Sequence, residues 1–214
     1  MTSTGKNILI INGSLRGTTG NSGALVKQAA HILMNELKLQ ATLLTLTDPQ
    51  PMIREVYDLL AGCDGFLVVT GVYWNNWSSP LQRFIEVTTA FENTPAFFGK
   101  PVACAVTIDS VGGIEVAARL QAVFGGLGCW SPPCSTIVLS RTGKEAMAAS
   151  AGQEDDPNKD VWRMDDLPIV LQNLATAAAM PRNNWIAWPH TELIIPDGPW
   201  PNEGLLNMGS PKFL

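Results

Sequence analysis

Apolar and polar positions alternate along this chain in two distinct periods. Ile8-Leu9-Ile10-Ile11 is an unbroken apolar run, the pattern of a strand buried on both faces. Leu25, Ala29, Leu33 and Leu37 then recur every four residues, which predicts an amphipathic helix. Ala41 to Thr47 reads as a second strand, ended by Pro49 and Pro51, and Ile53 to Ala61 as a short helix. Phe66 to Val69 is a further buried strand. A helix follows, in which Ser79 can cap, Pro80 suits the first helical position and Gln82 completes a capping box. Val102 to Ile108 is the fourth strand. Val116, Leu120, Val123 and Leu127 mark a helix that Gly128 can stop. Thr136 to Leu139 is the last strand, and Leu167, Val170, Leu171, Leu174 and Ala178 mark the last helix.

Strands and helices thus alternate from end to end, without an internal repeat. That order predicts an α/β three-layer sandwich, with a five-stranded parallel sheet and helices on both faces. Such sheets bind ligands beyond the carboxyl ends of their strands, near the switch in strand order. The domain is expected to span 1–180. From Pro181 to Leu214 the pattern stops: six prolines, with Trp185, Trp188 and Trp200 among them, leave no helical or strand period. This extension reads as an arm over a partner subunit, as a lid, or as cover on its own domain.

Composition narrows the function. Of 214 residues, 46% are hydrophobic and 15% charged, with a net charge of −5. The 14 Lys and Arg form no basic stripe, so nucleic-acid binding is not expected. The uncharged window Leu120 to Ser140 is broken by Gly125, Gly126, Gly128, Pro132 and Pro133, and no membrane span is expected there. Met1 to Asn7 is polar and resembles no signal peptide. Cys63, Cys104, Cys129 and Cys134 form no CxxC pair, and the two histidines are His31 and His190. Metal binding is therefore not expected, and reduced thiols in a cytoplasmic protein are.

Three loops follow three strands and are expected at one edge of the sheet. Gly13 to Gly23 is G-S-L-R-G-T-T-G-N-S-G. Its glycines let backbone N–H groups converge. Ser14, Thr18, Thr19, Asn21 and Ser22 add donors, Arg16 adds a charge, and a helix N-terminus follows. These are the parts of a phosphate site. The loop lacks both the G-K-S/T ending of a P-loop and the GxGxxG fingerprint. The second loop, Gly71 to Ser79, places Val72, Tyr73 and Trp74 just past a strand, where rings suit a flat ligand or a subunit interface, with Asn75 and Asn76 able to hydrogen-bond a heterocycle. The third, Asp109-Ser110-Val111-Gly112-Gly113, pairs glycines that permit close backbone approach.

Together these loops resemble the NADPH-dependent FMN reductase family of flavodoxin-like proteins, over about residues 7 to 140. The stretch A-G-C-D-G-F-L-V-V-T-G-V-Y-W-N-N-W-S-S-P-L-Q-R-F-I-E, Ala61 to Glu86, carries most of the likeness. It looks especially like the multimeric flavodoxin and quinone reductase branch. G-K-P-V-A-C-A-V-T-I-D-S-V-G-G-I-E adds to it. Gly71 stands where the family usually has Pro, Gln82 where it has Lys and Glu86 where it has Asp, and the cysteine cluster of the Fe–S relatives is missing.

The resemblance implies FMN as cofactor and NADPH or NADH as co-substrate. FMN phosphate would lie against Ser14, Arg16, Asn21 and Ser22. The isoalloxazine would lie against Val72, Tyr73, Trp74 and Asn75 on one side and against Asp109, Ser110, Gly112 and Gly113 on the other. It further implies a homodimer or homotetramer that passes hydride from nicotinamide to flavin and on to a small-molecule electron acceptor, such as a quinone or free flavin. The alternative is a flavodoxin-type electron carrier docking through an acidic face. The acidic residues Glu154, Asp155, Asp156, Asp160, Asp165 and Asp166 lie away from the loops and read as a solvated loop and helix start.

Overall fold

The structure is a computed structural model, and it describes residues 5–49, 52–150, 164–182, 185–189, 195 and 198–200. Five parallel strands form one sheet: β1 (Asn7–Asn12), β2 (Gln40–Thr45), β3 (Gly65–Gly71), β4 (Val102–Ile108) and β5 (Thr136–Ser140). Their order is β2-β1-β3-β4-β5. The helices are α1 (Gly20–His31), α2 (Ile53–Gly62), α3 (Ser79–Thr88), α4 (Gly113–Leu127), α5 (Arg141–Ser150) and α6 (Leu167–Ala178). One wider turn, Ile32–Glu36, prolongs α1.

The continuous apolar runs explain the two-sided burial. In β1, Leu9 and Ile11 face a core shared with α2, α3 and α4, while Ile8 and Ile10 face a second core shared with α1 and α6. The same division splits Phe66 and Val68 from Leu67 and Val69 in β3, and Cys104 and Val106 from Ala103 and Ala105 in β4. Side chains that alternate across each strand thus make a three-layer sandwich. The predicted start of α3 moves. The N-cap of α3 is Ser78 rather than Ser79: its Oγ accepts from Leu81 N at 3.3 Å. Gln82 leaves the cap, its Oε1 accepting from Trp77 Nε1 at 2.8 Å. Gly128 does end α4, in the left-handed region at φ 109°. Helix α5 is an addition to the predicted elements.

Parts of the proline-rich extension contact the domain that precedes them. Ile195 and Trp200 are buried in the α2–α3 core, with Trp200 stacked on Phe84 at 6.1 Å. Gly198 O accepts from Ile53 N at 2.9 Å, and Pro199 bridges Met52. At the opposite edge of the sheet Trp185 lies 6.4 Å from Trp130. His190 and residues 201–214 lie outside the described residues, as do Glu154, Asp155, Asp156 and Asp160. Among the described residues no helix is long and apolar enough to cross a membrane.

All four cysteines are free, and Cys134 alone is exposed. Burial raises the Cys63 thiol to about 11 and the Cys104 thiol to about 12. Lys100 is wholly buried. Its Nζ donates to Leu60 O at 2.5 Å and Ala61 O at 2.9 Å, satisfying carbonyls that the end of α2 leaves open. Burial pulls its pKa down to about 8, and the Arg182 charge adds to the effect.

Asp64 ties the start of β1 and the start of the proline-rich extension to this edge. Its carboxylate accepts from Asn7 N at 2.9 Å, Lys6 Nζ at 3.0 Å and Arg182 Nη2 at 2.8 Å. Burial alone would raise its pKa, but the Asn7 N–H, Lys6 and Arg182 outweigh it and lower the value. A lowered folded value means stability that is complete above the unfolded value and lost as the pH falls through the folded one. Asp64→Ala is expected to cost about 1–2 kcal/mol at neutral pH. In urea titrations at a series of pH values, the gap from wild type should close as the pH falls below about 4.

Candidate functional site

The strand order reverses direction between β1 and β3, which opens a crevice at their carboxyl ends. The loop after β1 begins there. Gly13 N donates to Val69 O at 2.8 Å, carrying the β1–β3 ladder one residue further. Asn12, fully buried, organises the turn: its Oδ1 accepts from Ser14 N at 3.1 Å and its Nδ2 donates to Gly17 O at 2.9 Å. Gly17 and Gly20 adopt left-handed backbones at φ 57° and 71°. A Cβ on Gly23 would lie 2.4 Å from Thr18 O, so the loop packs directly on the first turn of α1. Thr19, the N-cap, sends its hydroxyl back to Arg16 O at 2.8 Å and makes no side-chain cap to the helix. The N-terminus of α1 therefore points its partial positive charge at the cavity without a side chain of its own closing it.

The loop after β3 is fixed differently. Tyr73 and Asn76 exchange two backbone hydrogen bonds, at 2.7 and 3.0 Å. The residues between them, Trp74 and Asn75, are both left-handed at φ 49° and 62°. This is a hairpin-type turn. Asn tolerates that backbone, whereas a Trp in it costs about 1–2 kcal/mol. Trp74 is fully exposed. Tyr73 folds its ring back over Gly71, where a Cβ would lie 3.3 Å from the ring. The absence of a side chain at Gly71 leaves room for that ring.

The cavity at this edge has a volume of about 310 Å³, at the lower end of the range for small-molecule sites. Of the twelve residues expected at the site, it brings together Ser14, Arg16, Asn21, Ser22, Val72, Tyr73 and Asp109. Ser14 and Ser22 are nearly buried, and Ser22 shares a 2.7 Å hydrogen bond with Thr107. Trp74, Asn75, Ser110, Gly112 and Gly113 do not line it. The glycine pair has another evident use. A Cβ on Gly112 would lie 1.9 Å from Asn75 Oδ1, and one on Gly113 would lie 2.4 Å from Val138 Cγ1. Both glycines thus admit protein neighbours.

Thr107 and Arg141 line the cavity and were not anticipated from sequence. Arg141 follows directly on β5, whose carboxyl end must join the others in a parallel sheet; that position was the available signal. Its Nε pairs with Glu145 at 2.8 Å. The start of α5 is tied to the third loop, Thr142 giving its N–H and hydroxyl to Asp109 O at 2.9 and 2.7 Å. Among the described residues no three His, Cys, Asp or Glu side chains gather as a metal site.

Fold and crevice together define a flavodoxin-like three-layer α/β protein with a loop rich in hydrogen-bond donors after its first strand. The chain belongs to the NADPH-dependent FMN reductase family, whose model matches residues 6–144. Among curated proteins no sequence matches it. Solved structures resemble it in fold. An oxidoreductase from Corynebacterium diphtheriae is 14% identical, with a TM-score of 0.61 over 82% of this chain and 98% of the other. A flavoenzyme NAD(P)H:(acceptor) oxidoreductase from Paracoccus denitrificans is 19% identical, with a TM-score of 0.55 over 81% and 97%. A flavodoxin from the domain Archaea is 12% identical, with a TM-score of 0.53 over 82% and 99%.

The family's cofactor is FMN and its co-substrate a reduced nicotinamide nucleotide. The residues present fit FMN: an α1 N-terminus without a side-chain cap, beside buried Ser14 and Ser22 and the Arg16 guanidinium, suits a phosphate, and Tyr73 suits a ring.

Ser78 joins the two loops. Its hydroxyl donates to Gly13 O and accepts from Leu81 N. Ser78→Ala removes a helix cap and leaves a buried carbonyl without its donor. We expect a loss of about 2–3 kcal/mol in urea unfolding, together with weaker FMN binding.

Proposed function

We propose that this protein is an FMN-dependent oxidoreductase that takes reducing equivalents from NADPH or NADH and delivers them to a small acceptor such as a quinone or free flavin. One observation carries the reading: a single cavity at the β1–β3 switch is lined both by the donors of the first loop and by Tyr73. When bound, FMN supplies the hydride-accepting chemistry. The chain's own residues bind and orient it.

In this reading Ser14, Arg16, Asn21 and Ser22 hold the phosphate. Val72 and Tyr73, with Trp74 and Asn75 behind them, flank one side of the isoalloxazine. The segment from Asp109 through Ser110 to Gly112 and Gly113 flanks the other. No side chain is assigned to proton transfer, since the flavin carries the reaction.

The exposed apolar residues Trp74, Val111 and Ile114 belong to the second and third loops and the start of α4. They are the surface that a second copy would cover in a homodimer or homotetramer. Four free thiols suit a reducing compartment, and we place the protein in the cytoplasm.

The test is anaerobic mixing of the FMN-loaded protein with NADPH and, separately, NADH, followed at the visible flavin bands. Prompt bleaching by either nucleotide is the expected result. A flavin that keeps its colour with both would contradict the reductase reading and favour an electron carrier.

A further inference from the structure

The turn that presents Tyr73 to the cavity is held from outside the cavity. Asn75 Nδ2 donates to Glu115 Oε2 at 3.1 Å. Arg119 Nη2 donates to the Asn75 carbonyl, and the same guanidinium lies 5.2 Å from the centroid of the Trp77 ring. Trp77 in turn donates to Gln82 at 2.8 Å, and Gln82 Nε2 donates to Glu86 at 3.0 Å. None of these five residues beyond the turn touches the cavity. Between the anchors sit the two left-handed residues, Trp74 and Asn75. A non-glycine backbone of this kind persists where its surroundings over-determine it. Here two side chains of α4 supply those contacts, Glu115 with one and Arg119 with two.

We infer that Arg119 is a positioning residue for the flavin site: acting through Asn75 and Trp77, it keeps the 73–76 turn closed and so sets Tyr73 against the bound ring. The inference rests on the reading above, in which Tyr73 lies beside the isoalloxazine. A guanidinium suits the task because it can donate to a carbonyl with its edge while its face covers an indole. A lysine ammonium offers one of these contacts at a time. Arg119 is exposed at the surface of α4, so its replacement leaves the core intact.

The experiment is a double-mutant cycle on FMN affinity, read by quenching of FMN fluorescence on titration into the apoprotein. Arg119→Ala and Tyr73→Ala are each expected to weaken binding about five- to tenfold. The double variant should be no weaker than about tenfold, because the two residues act through one contact. Arg119→Lys should recover part of the loss. Glu115→Ala, which frees the turn at its other anchor, should reproduce the effect and shift the visible band of bound FMN in the same direction as Tyr73→Ala.

Affinity of Arg119→Ala within twofold of wild type would overturn the inference while leaving the reading of the cavity in place. So would a double variant whose losses multiply. A wild-type protein that binds no FMN would overturn both.

Discussion

The site depends on the hydroxyl of Ser78. β1 and β3 lie side by side, and the loops that leave them would diverge into solvent if nothing joined them. Ser78 Oγ donates to the Gly13 carbonyl in one loop and caps the helix that follows the other, while its own N–H reaches Thr70 Oγ1 at 3.3 Å. The anion cradle, the aromatic turn and the start of α3 thereby share one buried point. Around it Asn12 consumes its side-chain groups inside the first loop. The hydroxyls of Ser14 and Ser22 can then sit nearly buried and still line a cavity.

Sheet and helices were legible in the chain because two-sided burial leaves an unambiguous apolar run. Val102 to Ile108 needed no adjustment as a strand. The start of α3 moved by one residue because Ser78 and Ser79 are chemically equal as caps, and the neighbouring Gly13 carbonyl decides between them. Helix α5 leaves no such signal, because Arg141 to Ser150 carries a glycine and small residues without a long apolar stripe. The first loop announced its chemistry through composition. Arg141 and Thr107 did not, since their place at the cavity follows from strand order, which no local pattern encodes. Lys100 is the extreme case: a lysine reads as surface, yet here it closes the end of α2 from within.

Three departures from the family pattern acquire a physical setting. At Gly71 the missing side chain makes room for the Tyr73 ring. Gln82 and Glu86 form a relay that ends on Trp77, against which Arg119 stacks. Where a proline would stiffen the strand exit through the backbone, this chain does it through side chains drawn from α3 and α4. The paired glycines of the third loop belong to the same arrangement, since Gly112 accommodates Asn75.

The central claim is that the cavity recognises its ligand by the phosphate, at the open N-terminus of α1. Calorimetric titration of the apoprotein with FMN and with riboflavin, which differ in that group alone, tests it most directly. The account predicts that FMN binds about a hundredfold more tightly or better, with the advantage shrinking in high salt. Riboflavin binding within about threefold of FMN would contradict it, because a cradle of helix N–H groups, two buried hydroxyls and a guanidinium cannot be indifferent to a dianion.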